Sequence, residues 1–525
     1  MVQKDIKSRR KEAAHRRRRI IFNNDNEERR SLNTLPQGSI TPQKFLEVDM
    51  AGHVDSQVDT VFYCDMHAFD MFSHRSDVTE STYKWDRTTQ ELFDQGTDPL
   101  EIMVEFCRNN DIEIFWSFRI NDGHDSFGAV PLPQYKKEHP EYLFGTREDV
   151  PWHGRWSGVD YAMKEVRDQA ILAIEDTCGR YDVDGMEFDF FRELVCFKSL
   201  AWARGTGQEC DIMTEHLRRV RATLDEIGSR KDKPLLMAVR VPDSVGFCRQ
   251  LGLDIVRWME EDLIDLLVVG GLFWLQPWQR SVELAHRYDV PVYPSLDGSR
   301  VGSWPFVLGS TDPDPDTQPE CQRVRRSLEA YRAHATDAWR AGADGIYVFN
   351  LHFQCDPSDE IWRELGDAEK LATLDKIYHV SVMARGHATI DHYLPGGQGE
   401  QFLHLPTLSP DYPRELLSDQ PVVTTLAVAD DLPAAIDKGL TPNLKLNVQL
   451  ENLPAAEALT VKLNDQVLSN TELTWESQMP ETWREYAVVP QVVKKGRNVL
   501  EITLEADSDV NRPCILHDVH LRISY

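Results

Sequence analysis

Residues 158–192 read GVDYAMKEVRDQAILAIEDTCGRYDVDGMEFDFFR. Its first part, Asp160–Tyr181, carries apolar residues at helical spacing. From Val183 it becomes a short run in which acidic and apolar residues alternate, as on a strand. The same unit recurs along the chain. Strand candidates begin at Ile20 (IIF), Thr60 (TVFYC), Ile112 (IEIFWSF), Val183 (VDGMEF), Leu235 (LLMAV), Ile264 (IDLLVV), Val290 (VPVYPS) and Gly345 (GIYVF). Amphipathic helices are expected between them, among them Cys210–Arg230, Leu253–Leu263 and Arg323–Ala341. Strands alternating with helices imply a parallel sheet with right-handed crossovers. Eight units predict an α/β fold closed as a (β/α)8 TIM barrel over residues 20–394. A doubly wound open sheet is the alternative, but no GxGxxG or GxxxxGK[ST] follows any candidate strand.

Beyond this region the texture changes. A Gly- and Pro-rich segment (395–420, with PGGQG and TLSPDYP) is expected to be a linker or covering loop. After it, Leu444, Leu446, Val448 and Leu450 alternate with polar residues, and Asn464-Asp465 has the composition of a hairpin turn. Residues 421–525 therefore predict an all-β sandwich without a convincing helix. An exposed edge of that sandwich offers a surface for a homo-oligomer.

Composition excludes several classes. With 41% hydrophobic and 27% charged residues the chain is globular, not disordered or fibrous. No apolar run approaches the ~18 residues of a membrane span, so no membrane partner is expected. The net charge of −28 opposes nucleic acid as a partner. The exception is local: residues 4–19 hold nine basic side chains, read as a solvated basic head (1–19) because no apolar signal core follows them. The nine cysteines lack CxxC pairs; Cys64 and Cys107, set in apolar runs, read as buried thiols, and a reducing, cytoplasmic compartment is expected.

Chemistry in such a barrel belongs at the carboxyl ends of the strands. These ends are polar here. They carry Asn24 and Asp25, Asp65, Arg119, Asn121, Asp122 and His124, Glu187, Asp189 and Arg192, Arg240 and Asp243, Trp274, Asp297, and Asn350 with His352. Carboxylates, amides and guanidiniums with an indole suit a polyol ligand, whose hydroxyls pair with the polar groups and whose apolar ring faces stack on tryptophan. Strand alternation puts Glu187 and Asp189 on one face, and two acids in line on a buried strand push their pKa values apart. A structural network with Arg119 or Arg240 is the plain alternative.

The 158–192 stretch resembles the helix-three to strand-four core of the glycosyl-hydrolase-like (β/α)8 families, which read PEVR…YDVDGI-x-x-D and end in Asp-aromatic-x-Arg. RINDGHD (119–125), HPEY (139–142), RVP (240–242) and GLDIVRWMEEDLIDLLVVG (252–270) extend the likeness over most of residues 20–370. KKGRNVLEI (494–502) and the final LHDVHLRISY are similar to galactose-binding-like accessory modules. The resemblance implies a glycosidase with a carbohydrate substrate and no cofactor or metal. It makes Asp189 the first catalytic candidate, Asp297 at the end of strand seven its partner, and Glu187 and Asp243 the contenders. Chitinase-type barrels carry DGxDxDxE on strand four; laid from Asp184, the final position here is Phe191, which removes that acid. Two other readings stand beside it: a metal-dependent barrel using His67, His124 and His352, and a carbohydrate-binding barrel without catalysis. Long loops after strands two, three, four and seven suggest a pocket, hence exo action.

Overall fold

The computed structural model describes residues 5–26, 28–271, 273–297, 327–351, 359–380, 402, 404–405, 408, 413–418, 420–454, 458–469, 475–476, 481–505 and 512–525. Eight parallel strands close into a barrel: β1 (Ile20–Asn24), β2 (Val58–Tyr63), β3 (Glu113–Arg119), β4 (Gly185–Asp189), β5 (Leu236–Val241), β6 (Leu266–Val269), β7 (Val292–Asp297) and β8 (Ile346–Phe349). Sequence neighbours pair around the ring, and β8 returns to β1. Each strand begins within two residues of the position read from sequence. Both strand faces are buried, which is why the runs are almost wholly apolar. Phe62, Phe115, Leu236, Leu266, Tyr293 and Tyr347 fill the interior, while Val61, Ile114, Met186, Met237, Leu267 and Val348 join the core shared with the outer helices. Gly185 has a structural reason: a Cβ there would strike the Leu236 carbonyl and the Phe115 ring.

The helices include α1 (Ile6–Ala14), α2 (Pro42–Asp49), α3 (Pro99–Asn109), α4 (Lys164–Arg180), α5 (Gln208–Lys231), α6 (Ile255–Glu260), α7 (Trp278–His286) and α8 (Leu328–Arg340). Local sequence sets their starts: Asp98 caps α3 ahead of Pro99, and Asp254 and Ser327 cap α6 and α8.

The basic head is solvated only in part: Lys7, Arg16 and Arg17 are exposed, whereas Arg10 and Arg18 are buried. The segment 5–19 lies across the amino-terminal end of the barrel, and α1 sits against α5 and β5. Arg18 is fully buried and grips Glu113 with two hydrogen bonds (Nε to Oε2 2.6 Å, Nη2 to Oε1 2.9 Å), while Thr60 donates to the same carboxylate. Arg10 pairs with Asp262 and Asp265, and Lys7, Lys11 and Arg9 with Asp262 and Asp232. The acids lie up to 255 residues downstream of these cations, a distance at which local composition carries no information.

The C-terminal part has two facing antiparallel sheets around one apolar core, a β-sandwich. One sheet runs β9 (Lys376–His379), β15 (Ile515–Ser524), β11 (Asn443–Glu451), β13 (Glu481–Val488); the other runs β10 (Val422–Val428), β14 (Gly496–Leu504), β12 (Leu459–Leu463). Asn464 and Asp465 both have positive φ (49° and 68°) in the tight turn after β12, as their composition predicts. Two features depart from the sequence reading. β9 falls inside the range given to the barrel yet pairs with β15, and a short helix, Leu432–Asp437, capped by Asp431, interrupts the sheets. Most of 395–420 lies outside the described residues. Ala333 of α8 belongs to the sandwich core, which joins the two parts.

Cys64 and Cys107 are buried, as read. Among the described residues no helix is long and apolar enough to cross a membrane.

Candidate active site

At the carboxyl end of the barrel, Arg119 of β3, Asp189 of β4 and Arg240 of β5 stand in register on adjacent strands, so Asp189 is flanked by two arginines. Asp189 is buried. Its Oδ1 accepts from the backbone N–H groups of Phe191 (2.9 Å) and Arg192 (3.0 Å), and Arg240 Nη1 reaches both oxygens at 3.2 and 3.1 Å. Arg240 lies over the Phe349 ring, 4.0 Å from its centroid.

One layer deeper, Glu187 accepts from Ser117 Oγ and Tyr347 OH. Burial, and next the charge of Asp189, push its carboxyl up to about 8. The sign is then fixed. A carboxyl whose folded value exceeds its ordinary 4.5 binds its proton more tightly in the native state, so it stabilises the protein fully below pH 4.5 and that contribution is lost as pH rises to about 8. Glu187→Gln should remove this component, at most about 1.4 kcal/mol per pH unit. Urea unfolding at several pH values checks it; an equal slope in both proteins would refute the assignment.

A second cluster borders the first. Asp25 pairs with Arg119 and accepts from Asn350 Nδ2 at 2.6 Å, Asn350 being in the left-handed region (φ 52°). Arg119 also donates to Asp122 (3.3 Å). Asp122 Oδ1 meets His124 Nδ1 at 2.7 Å, and His124 Nε2 meets Arg192 Nη2 at 2.8 Å. Arginine only donates, so Nε2 accepts and the ring proton sits on Nδ1, facing Asp122. Burial pushes the Asp122 carboxyl up, but His124 and Arg119 more than offset this and hold it well below the usual carboxylate range.

The structure thus brings together Asp25, Arg119, Asp122, His124, Glu187, Asp189, Arg192, Arg240 and Asn350. Other candidates are employed elsewhere. Asn24 spends its amide on Glu28 and on the Asn26 N–H. Asp65, two residues past the end of β2, binds His74 Nδ1 and Trp116 Nε1. Asn121 is used up by the backbone of Val159 and Val195. Trp274 stacks on Trp278 (centroids 5.0 Å, 14°) and edges onto His334 of α8, at the seam with the sandwich. Asp297 ends β7 opposite Phe349, but its side chain and the whole of His352 lie outside the described residues.

Asp243 holds the loop after β6: its oxygens accept from the Leu275 and Gln276 N–H groups at 2.9–3.1 Å, and burial pushes its carboxyl up to about 7. Asp243→Ala should leave those amides unpaired, costing about 1–3 kcal/mol and accelerating their hydrogen exchange about tenfold or more. Unchanged protection at Leu275 and Gln276 would contradict it.

Sequence reading missed Ser117, Tyr347 and Phe349. The signal was available for all three, since each has the inward parity of Arg119 or Tyr293 on its strand or its paired neighbour. The Phe191 ring packs edge-on against Phe273 and lies near Arg240, and Gly271 leaves room for it: a Cβ there would strike the ring. His67 is hydrogen-bonded to Ser73 Oγ at 2.6 Å. Among the described residues no group of three or more His, Cys, Asp or Glu side chains is placed to hold a metal ion.

No family model and no curated protein matches the chain. Solved structures it is similar to include several glycoside hydrolases. With an α-L-fucosidase isoenzyme 2 from Paenibacillus thiaminolyticus it shares 13% identity over 68% of this chain and 49% of that one (TM-score 0.41), so the chain spans about half that protein's length. With a GH27 β-L-arabinopyranosidase from Geobacillus stearothermophilus it shares 10% identity over 96% and 100% (TM-score 0.38). With a family 18 N-acetylglucosaminidase from Paenibacillus barengoltzii it shares 12% over 67% and 99% (TM-score 0.37).

Proposed function

We propose that the chain is a glycoside hydrolase that takes a carbohydrate at the carboxyl end of the barrel and cleaves it, exo-fashion, with two carboxyl groups. The observation that carries this reading is Asp189, a buried carboxylate at the end of β4, aimed by two backbone N–H groups and flanked by Arg119 and Arg240. Its oxygens accept hydrogen bonds and donate none, which suits the nucleophile or base of glycoside hydrolysis. Glu187 is the deeper acid, held by Ser117 and Tyr347, and supports the site rather than meeting the substrate. The acid is then assigned to Asp297, at the end of β7. A carboxyl separation near 5 Å would give retention of anomeric configuration, and about 6.5–9.5 Å inversion. Asp25, Asp122, His124, Arg192 and Asn350 supply the polar rim for sugar hydroxyls.

One observation favours a second reading, a barrel that binds sugar without turning it over. Phe191 stands where chitinase-type barrels have their acid, and Asp189 is already engaged by Arg240. The deciding experiment is hydrolysis of a broad panel of nitrophenyl glycosides and oligosaccharides, with and without EDTA. Release indifferent to EDTA is expected. Silence across the panel with sugar binding intact would replace the glycosidase by the binding protein, and activity abolished by EDTA would replace it by a metal enzyme.

A further inference from the structure

Between the barrel and the sandwich lies a cavity of about 430 Å³, walled by the loop after β6, α7 and α8 on one side and by β9, β10 and β14 on the other. That volume is within the range of small-molecule sites, about 300–1,000 Å³. Its lining is unlike the rest of the molecule. In a chain of net charge −28, Arg280, Arg340 and Arg497 all face this space, and Asp337 is the single carboxylate among its described lining residues. Asp337 is already committed to Arg340, with Nη2 to Oδ1 at 2.8 Å. The Arg280 and Arg497 side chains make no hydrogen bond or ion pair among the described residues. Two guanidiniums from opposite walls, with no anionic partner among the described residues, form a place for an anion.

The second feature is Trp274. Its ring lines the cavity, stacked on Trp278 and T-shaped to His334. Its indole N–H is buried and has no acceptor among the described residues. An indole with an unused donor beside arginines suits a ligand with an apolar ring face, hydroxyls and a negative charge. We propose that this cavity is a second, non-catalytic site that binds a saccharide bearing a carboxylate or a sulfate. This does not rest on the reading of the barrel mouth, because none of the charged residues involved belongs to it.

Titration calorimetry on the full chain tests it with D-glucuronate, D-glucose 6-sulfate, D-glucose and inorganic sulfate. At least one acidic sugar should bind, and which one does identifies the anion. Glucose and inorganic sulfate should each bind about tenfold more weakly or not at all, since each offers half of the recognition. The double variant Arg280→Gln/Arg497→Gln removes two exposed side chains that hold nothing in the fold, and should weaken the acidic sugar about tenfold or more. The inference is overturned if neither acidic sugar binds, if glucose or sulfate alone binds as tightly, or if the double variant binds like wild type, which would place the sugar elsewhere.

Discussion

Arg18→Ala should destabilise the barrel by about 3–5 kcal/mol, the cost of leaving one member of a buried ion pair without its partner. Arg18 has no exposed surface, and the Glu113 it holds is 3% exposed. The guanidinium also donates to the carbonyls of Ala13 and Ala14, so its loss frees the 5–19 segment from the end of the barrel as well as uncovering a carboxylate. Gly345 marks how close that segment comes: a Cβ there would strike the Arg18 carbonyl. Chemical unfolding followed on the barrel's transition gives the value. Arg18→Met with Glu113→Leu should recover most of the loss, because an apolar pair of similar size carries no desolvation penalty. A single variant within about 1 kcal/mol of wild type would show the plug to be dispensable, since pairs worth that little are those at the surface.

Asp189→Asn should lower turnover on whichever glycoside the panel reveals by at least about 10²–10⁴-fold, the usual weight of a positioned acid–base or nucleophilic group. Sugar affinity should stay near that of wild type. The substitution keeps shape and an acceptor for the Phe191 and Arg192 N–H groups but removes the anion facing Arg240. Loss of kcat with KM little changed marks a group acting on the reacting bond; a parallel loss of affinity and fold would mark Asp189 as the counter-ion of Arg240 alone. Single-turnover kinetics with binding measured separately distinguishes the two outcomes.

Strand parity is local information, and it was used at β4 but not at Ser117, Tyr347 and Phe349. Alternation along DGMEFD puts Glu187 and Asp189 inward, and the same parity in IEIFWSFR puts Ser117 and Arg119 beside them. The fold, too, was legible from eight repeats of one pattern, because a parallel strand covered on both faces must be written in apolar residues. Parity stops at the last paired residue. Asp65 and Asn121 lie just past strand ends, and their directions were set by His74, by the more distant Trp116, and by the backbone at 159 and 195. Trp274 turned to the sandwich for a similar reason: the loop after β6 is held by Asp243 from the neighbouring unit.

By itself, then, the sequence determined the barrel, the order of its strands, the sandwich behind it and the inward face of β4. All of these follow from periodicity within a few residues and from the burial that each periodicity demands. Only the folded chain shows that Arg10 and Arg18 of the basic head are buried against the end of the barrel, that Asp189 is flanked by two arginines, and that a cationic cavity opens at the seam. Each of these depends on charges brought together from strands and helices far apart in the chain, and Coulomb and desolvation energies are fixed by distance in space rather than by distance in sequence.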